Sequence, residues 1–141
     1  MARQYRHHKM PASIYAHLSW TTLNRRPMIG PKEERFLKGF LPGQAERNGA
    51  TVMAIGVVTD HVHVLLRLEP VFSVPKLVQS LKGASSRLSK RDDEGGGGLR
   101  WAKGYDLRSV SPKNLGAAIR YVRNQAARHP QRAIDNPVGD S

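Results

Sequence analysis

Two histidines, His61 and His63, stand two residues apart in a segment whose alternating pattern predicts a β-strand. Side chains at positions i and i+2 project from the same face of a strand, which places their Cα atoms about 6.6 Å apart. Two imidazoles at that spacing can converge on one metal ion, and neutral imidazole is the commonest protein metal ligand. The spacing equally suits two surface histidines on an exposed sheet face, so the pair alone leaves both interpretations open.

A tyrosine and a glutamine, Tyr121 and Gln125, lie four residues apart in a segment with helical periodicity. They stack on consecutive turns of the predicted helix, on one flank of its apolar stripe and in line with Asn114 and Arg128. The stripe consists of Leu115, Ala118, Ile119, Val122 and Ala126. A phenol at this edge of the core can reach a metal held on a sheet and stay accessible. A tyrosine that merely packs against the sheet explains the spacing as well.

Several stretches predict the strands that position these side chains. Residues 14–21 alternate apolar and polar side chains, 51–58 form a nearly continuous apolar run, and 61–68 alternate again. Shorter strands are predicted at 99–101 and 106–110. In the 61–68 strand the face opposite the histidines is wholly aliphatic, so burial of that face would present the two imidazoles rigidly.

Two helices are predicted between these strands. The first spans 31–48, and Pro42-Gly43 is expected to break it into two short pieces, because an interior proline removes a helical hydrogen bond. The second follows Ser73 as its N-cap and carries apolar residues at three- and four-residue spacing through Leu88.

A last helix is predicted over 111–128, opened by a Ser-Pro pair and ended by His-Pro. The resulting order predicts a single α+β domain in which helices pack on an antiparallel sheet. The chain is also expected to have a basic N-terminal arm at 1–11, a flexible Gly-rich loop at 90–98 and a loose C-terminal tail at 130–141.

The composition indicates a polyanionic partner. The 141 residues include 23 Lys+Arg against 11 Asp+Glu, a net charge of +12. Between residues 99 and 132 the only acid is Asp106, whereas the basic residues are Arg100, Lys103, Arg108, Lys113, Arg120, Arg123, Arg128 and Arg132. The absence of cysteine excludes disulfides, thiolate metal sites and a cysteine nucleophile. No membrane-spanning apolar run or secretory signal is found, so a cytoplasmic location is expected.

The histidine and tyrosine segments resemble those of a known family. The run from Gly56 to Leu66, GVVTDHVHVLL, resembles the HUH motif of single-tyrosine transposases. The run from Arg120 to Gln125, RYVRNQ, is similar to their nucleophile helix and stands at the family's order and separation. Further similarities are HLSWT at 17–21, RRP at 25–27, LKGASS at 81–86 and WAKGY at 101–105. The resemblance extends over 14–129, and it is to the insertion-sequence 200/605 type and its REP-associated relatives.

This resemblance implies a ferredoxin-like or RRM-like HUH fold and a DNA transposase that cleaves and rejoins single-stranded DNA, reading hairpin ends. It implies that Tyr121 attacks phosphorus to form a 5′-phosphotyrosine intermediate. It assigns His61, His63 and Gln125 to a divalent metal ion, Mg²⁺ or Mn²⁺, of which imidazole ligands favour Mn²⁺. Members of the family generally act as homodimers, in which the tyrosine helix of one chain sometimes serves its partner.

The basic residues are then expected to bind DNA. By resemblance and charge, Arg25, Arg26 and Lys82 are predicted DNA contacts. Arg120 and Arg123 flank the tyrosine but point away from its side of the helix, which assigns them to the DNA backbone or to packing at the edge of the core. His17, on the polar face of the first strand, is expected on the same surface as the histidine pair.

The remaining aromatic residues have simpler expected roles. Trp20 is expected in the core, Trp101 is a candidate for stacking on an unpaired base, and His129 is expected to be an ordinary surface histidine.

Three other functions fit the residues less well. A metallohydrolase of the H-x-H-x-D-H kind fails because Leu65 and Leu66 stand where aspartate and histidine are needed. A cupin is excluded by motif spacing and by the three predicted helices. The remaining alternative is a non-catalytic, domesticated protein that binds single-stranded or hairpin DNA, against which the intact histidines, tyrosine and glutamine argue.

Overall fold

The computed structural model describes residues 14–70, 73–91 and 98–134. The expected basic arm at 1–11 lies outside the described residues, as do 92–97 of the Gly-rich loop and 135–141 of the tail. Within the described ranges, no helix is both long enough and apolar enough to cross a membrane.

A four-stranded antiparallel sheet with strand order β2-β3-β1-β4 forms the centre of the fold. Its strands are β1 (Ile14–Thr21), β2 (Ala50–Val58), β3 (His61–Leu68) and β4 (Asp106–Val110). The strands predicted at 14–21, 51–58, 61–68 and 106–110 are therefore confirmed. Strand β3 is an inner strand, and all its residues except Arg67 are buried, as expected for a strand covered on both faces.

Helices cover both faces of the sheet and confirm the predicted α+β fold. They are α1 (Pro31–Glu46), α2 (Val74–Arg91), α3 (Leu115–Arg123) and α4 (Gln125–Arg128). Helices α1 and α2 pack on one face, where Leu37 and Leu81 meet Leu18 and Val64 in the main core. Helix α3 packs on the other face through Val122, which contacts a smaller cluster around Leu65.

The predicted break at Pro42-Gly43 is wrong, because α1 is continuous through Pro42. An interior proline costs a helix about 3 kcal/mol. Burial of one large aliphatic side chain recovers about 1.5–3 kcal/mol, and Leu37, Leu41 and Ala45 are all fully buried along the same side of α1. Packing on the sheet therefore outweighs the local preference, and the two short pieces that were predicted form one helix.

The strand predicted at 99–101 is also wrong. Trp101 makes only an isolated bridge to Thr22, beyond the end of β1. The Ala102 N–H donates to the Thr21 carbonyl at 2.9 Å, and the chain then turns through Gly104 at φ +87° before it returns as β4. This turn separates the two segments, so the edge of the sheet holds one short strand.

The last helix is interrupted where a single helix over 111–128 was predicted. A 3-10 turn at Pro112–Asn114 leads into α3, and Asn124 (φ −99°, ψ 27°) separates α3 from α4. At this break the Gln125 Nε2 donates at 3.0 Å to the Tyr121 carbonyl, the acceptor that a backbone N–H at position 125 would use in a regular helix. The predicted end at His129 is confirmed, but Ser111 makes no side-chain cap.

Two boundaries differ from those expected. Ser73 accepts a hydrogen bond from the Lys76 N–H at 3.4 Å and so caps α2, as predicted, but α2 continues to Arg91 and shortens the expected loop at 90–98. The tail was expected to be loose, yet its described part is held. The Thr59 N–H donates to the Arg132 carbonyl at 2.8 Å, and Ile134 packs against the main core.

Helix α3 approaches the sheet most closely at Gly56 of β2. A Cβ atom at this position would lie 1.8 Å from the Val122 carbonyl oxygen and 2.8 Å from the Gln125 Cγ. Gly56 also pairs with His63 in the sheet. Only glycine at this position leaves room for the end of α3 to lie directly beside the strand pair that contains His63.

We predict that Gly56→Ala destabilises the protein by about 1–3 kcal/mol, because the helix must move away from β2. The measurement is urea unfolding followed by circular dichroism. The matched control is Gly39→Ala in the interior of α1, where an added Cβ meets nothing within 4 Å. That change should stabilise the protein by about 0.5–1 kcal/mol. Equal effects at the two positions would contradict the close approach at Gly56.

Candidate active site

The histidine pair projects from the α3 face of the sheet, as its spacing predicts. His61 and His63 are 7% and 9% exposed, and their ring centroids lie 4.8 Å apart at an interplanar angle of 75°. The alternating residues Val62 and Val64 are fully buried in the main core on the other face. The strand therefore holds both rings on a rigid backbone, partly covered by α3 and α4.

The orientation of His61 is set by the residue before it in the chain. Its Nδ1–H donates to the Asp60 Oδ1 at 2.8 Å, which leaves the Nε2 lone pair free. Burial lowers the pKa of the His61 imidazole, although the bond to Asp60 works in the opposite direction. A histidine whose far nitrogen is fixed by a carboxylate is the usual arrangement of a metal ligand.

His63 is oriented by His17 on the neighbouring strand. The His17 Nε2 and the His63 Nδ1 are 2.7 Å apart, and in the tautomer with Nδ1–H on His63 that nitrogen donates to His17. The His63 Nε2 is buried and has no hydrogen-bond partner among the described residues. Burial, followed by the nearby rings of His61 and His17, lowers the pKa of His63 to about 3, so the ring is neutral near neutral pH.

Gln125 approaches the same face of the sheet from α4, because its Cγ lies 2.8 Å from where a Cβ of Gly56 would be, and Gly56 pairs with His63. Its side chain is fully buried, its Nε2 donates to the Tyr121 carbonyl, and its Oε1 has no partner within the described part of the chain. Buried polar atoms are nearly always paired with protein, water or an ion. In the tautomer with Nδ1–H on His63, the His63 Nε2 and the Gln125 Oε1 are therefore two buried acceptors without a partner among the described residues, and each can accept a donor or a cation.

These residues fit a divalent cation. Two neutral imidazoles and one amide oxygen are borderline ligands that suit Mn²⁺ better than Mg²⁺, which prefers oxygen alone. Among the described residues, no three His, Cys, Asp or Glu side chains form a group that could hold a metal ion. A metal at His61 and His63 would therefore take its third protein ligand from the Gln125 amide.

Tyr121 stands at the open side of this group. Its side chain is 37% exposed, and its ring centroid lies 5.8 Å from that of His17 and 6.1 Å from that of His63 in the same chain. The Arg128 guanidinium lies 4.3 Å from the ring centroid, a cation–π contact. Seven residues of regular helix span about 10.5 Å, so the interruption at Asn124 helps to bring Arg128 to this position.

An open cleft of about 200 Å³ leads away from the histidines. It is lined by Ser19, Trp20, Thr21, Arg25, His61, His63, His129 and Arg132. His129 was expected to be an ordinary surface residue, but its ring centroid lies 5.5 Å from that of His61. That expectation is wrong, because the end of α4 folds back onto the turn between β2 and β3.

The predicted DNA contacts occupy three different settings. Arg25 lines the cleft, and Arg26 is exposed beside it. Lys82 instead donates from its Nζ to the Ala102 and Gly104 carbonyls, both at 2.8 Å, so it holds the turn before β4. Burial lowers the pKa of this ammonium. Arg120 and Arg123 are exposed on α3 and do not line the cleft.

The two tryptophans pack against each other. Trp20 is 2% exposed in the main core, as predicted, and Trp101 meets it edge to face at 5.7 Å. The Trp101 Nε1–H donates to the Ser85 hydroxyl at 3.0 Å, so one edge of this indole is already engaged.

Sequence reasoning missed three residues of the site: Asp60, His129 and Arg132. Asp60 carried a local signal, because it immediately precedes His61 in a turn. His129 and Arg132 follow the last helix, and no spacing in the sequence shows that the chain returns to β3 there.

Comparisons with known proteins agree with this arrangement. Residues 11–125 match the family model described as "Transposase IS200 like". The ISDra2 transposase TnpA of Deinococcus radiodurans is 31% identical over 114 residues, which cover 77% of this chain and 81% of that protein.

Two solved structures share the fold. A crystal structure of a candidate transposase from Deinococcus radiodurans R1 superposes with a TM-score of 0.64 at 30% identity, covering 82% of this chain and 93% of that one. The structure of a REP-associated tyrosine transposase bound to a REP hairpin gives a TM-score of 0.65 at 13% identity, covering 87% and 73%.

The family match extends from before β1 to Gln125, and so takes in both the histidine strand and the tyrosine helix. The chain belongs to the IS200-like transposases, which are HUH single-tyrosine transposases acting on DNA.

Proposed function

We propose that this transposase cleaves and rejoins single-stranded DNA through a covalent bond to Tyr121. The observation that carries the proposal is the position of this exposed phenol beside two buried histidines and the unpartnered oxygen of Gln125. The phenol is the nucleophile that the site offers, since the chain has no cysteine.

In the proposed step the Tyr121 oxygen attacks the scissile phosphorus. The new bond joins this oxygen to phosphorus, the bond from phosphorus to the 3′ oxygen breaks, and the phenolic proton is released. The departing 3′ oxygen takes up a proton, which leaves a free 3′-hydroxyl and a 5′-phosphotyrosine. The number of phosphate ester bonds is unchanged, so a second attack by a 3′-hydroxyl reverses the chemistry and joins two strands without ATP.

The metal site in this proposal consists of His61, His63 and Gln125. These residues would hold a divalent cation, whose chemistry there would be to polarise the phosphate and offset the charge that develops on its oxygens. Asp60 and His17 keep the two imidazoles in the tautomers that bind a cation, through the bonds at 2.8 and 2.7 Å.

Arg128 supports the nucleophile from the solvent side. Its guanidinium covers one face of the Tyr121 ring and restricts the ring to the edge of the histidine group. Its positive charge lies where a phosphate must approach, which favours entry of the DNA backbone.

The proposed substrate is a single strand that carries a hairpin. The net charge of +12 supports a DNA partner, and the REP-associated relative with the same fold is bound to a hairpin. The homodimer remains a proposal. Tyr121 lies beside the His63 of its own chain, which supports a complete site in each subunit.

The first prediction concerns the nucleophile. Incubation with Mn²⁺ and single-stranded DNA carrying a hairpin should give a protein–DNA adduct that survives denaturing electrophoresis. Tyr121→Phe should abolish the adduct, because the ring remains and the attacking oxygen is lost, and should leave DNA affinity nearly unchanged. Tyr105→Phe, a change at another exposed tyrosine, is the matched control and should form the adduct normally.

An adduct that persists in Tyr121→Phe would overturn this assignment. Binding without an adduct in the unchanged protein would instead favour the non-catalytic alternative.

The second prediction concerns the metal ligands. Titration calorimetry with Mn²⁺ in the absence of DNA should show weaker binding by His61→Ala, His63→Ala and Gln125→Ala. Loss of the hydrogen-bond partner of a metal ligand typically weakens metal affinity about 10–100-fold, so Asp60→Asn should weaken Mn²⁺ binding within that range. Loss of a ligand itself should weaken Mn²⁺ binding at least as much. Gln79→Ala removes an exposed amide from α2 and should have no effect. Unchanged Mn²⁺ affinity in all three ligand variants would rule out this site.

The third prediction tests whether each subunit is complete. The segment after α4 is tied to β2 and β3 of its own chain by the Thr59–Arg132 bond and by Ile134, so exchange of the tyrosine helix must break these contacts. A mixture of Tyr121→Phe and His63→Ala, refolded together, should therefore form no adduct. Restored adduct formation in the mixture would show that the helix serves the partner subunit.

A further inference from the structure

The carboxylate of Asp60 is shared by two arginines from distant parts of the chain. Its Oδ2 lies 3.6 Å from the Arg25 Nη1 and 3.6 Å from the Arg132 Nε, while its Oδ1 accepts the bond from His61. Both arginine contacts are longer than hydrogen bonds. Asp60 therefore holds the two guanidinium groups near each other by charge, and their N–H donors stay available to another acceptor.

The charges in this group do not cancel. Two guanidinium groups contribute +2 and the carboxylate −1, which leaves +1 at the mouth of the cleft. The Asp60 side chain is only 9% exposed, whereas those of Arg25 and Arg132 are 55% and 37% exposed. The negative charge is covered and the positive charges face outward, so an anion in the cleft would meet the arginines first.

Both arginines are held by their backbones. Asn24 and Arg25 adopt left-handed conformations, at φ +55° and +54°, which residues other than glycine rarely adopt. The Thr22 hydroxyl maintains this turn by donating to the Arg26 carbonyl at 2.7 Å. The carbonyl of Arg132 is fixed by the Thr59 N–H at 2.8 Å.

We propose that Arg25 and Arg132 form a binding subsite for a DNA phosphate neighbouring the one that Tyr121 attacks. This inference rests on the proposed cleavage of single-stranded DNA. The planar guanidinium group matches the geometry of phosphate oxygens, and two of them that line one cleft and lie at one carboxylate oxygen can bind a single phosphate together. The cleft continues to His61 and His63, so the bound phosphate lies on the strand being cut.

Asp60 has a positioning role in this subsite. It draws the two arginines together and also orients His61, so one carboxylate aligns the strand-binding groups with the candidate metal ligands. Arg132 lies beyond the segment that the family model matches, which ends at residue 125.

The test measures DNA binding without cleavage, in protein that carries Tyr121→Phe. Affinity for a short oligodeoxythymidylate is followed by fluorescence anisotropy over a series of salt concentrations. Arg25→Ala and Arg132→Ala should each weaken binding, and each should reduce the slope of log affinity against log salt by about 0.7, the value for one phosphate contact on a single strand. Arg132→Lys retains the charge and should retain most of the slope.

The matched control is Arg47→Ala, which removes the same charge from an exposed residue after α1, at the opposite end of the sheet. Its slope should stay at the starting value. Slopes that fall equally in all three alanine variants, or in none, would overturn the subsite. Because Arg25 is more than half exposed, its variant tests the proposal even where Arg132→Ala proves unstable in thermal melting.

Two further measurements are needed. The first distinguishes a DNA phosphate from free phosphate as the bound anion, and the second distinguishes failure of the subsite from failure of the proposed cleavage. If inorganic phosphate binds in an Arg132-dependent way while oligonucleotide affinity does not change, the site takes free phosphate and the DNA assignment is wrong. The binding measurement does not use Tyr121, so absence of a covalent adduct in the unchanged protein would count against the chemistry and leave the subsite standing. Normal adduct formation together with unchanged DNA binding by the Arg25 and Arg132 variants would support the chemistry and overturn the subsite.

Discussion

The contact between Gly56 and the end of α3 is the constraint on which the candidate site depends. The Val122 carbonyl rests where a side chain at position 56 would be, and this approach carries Gln125 into full burial. Gly56 pairs with His63 in the sheet, so the contact that holds α3 against β2 also places the Gln125 side chain near His63. A longer separation would leave Gln125 at the surface and would move Tyr121 away from the sheet. Because Gly56 has no Cβ, the end of α3 and Gln125 can lie directly against the strands that carry the histidines.

Within that geometry, hydrogen bonds decide what each polar group can do. Asp60 and His17 each occupy one nitrogen of a buried histidine, which leaves the opposite nitrogen as a lone pair. Burial keeps the His63 ring neutral by lowering its pKa. Gln125 uses its amide N–H on the Tyr121 carbonyl and so turns its oxygen inward. Among the described residues, the buried side-chain atoms without a partner are the His63 Nε2, the Gln125 Oε1 and the Trp20 Nε1. In the tautomer with Nδ1–H on His63 the first two are acceptors, which can bind a cation, whereas the indole N–H of Trp20 is a donor.

The sequence was sufficient for the parts of the fold and site that follow local periodicity. The alternation in β1 and β3 identified their faces, and the spacing of Tyr121 and Gln125 placed them on one flank of a helix. It failed where tertiary packing outweighs local preference. Burial of Leu41 and Ala45 carries α1 through Pro42, and the inward turn of Gln125 interrupts the last helix. The contribution of His129 and Arg132 depends on how the chain returns to β3 after α4, for which no local pattern exists.

The path of the chain after α4 also affects how Tyr121 is held. Residues 129–134 attach the end of α4 to the turn between β2 and β3 through a backbone bond, a pair of charges and an apolar contact. The interruption at Asn124 lies between this attachment and Tyr121, and the hydrogen bond from the Gln125 Nε2 to the Tyr121 carbonyl connects the two sides of the break. The candidate nucleophile therefore stands on α3, which rests on the sheet through the buried Val122, and the candidate metal ligand Gln125 begins α4, which the returning chain attaches to the sheet. In the proposed reaction, a DNA end joined to Tyr121 would therefore stay beside Gln125 and Arg128, because both residues contact Tyr121 directly.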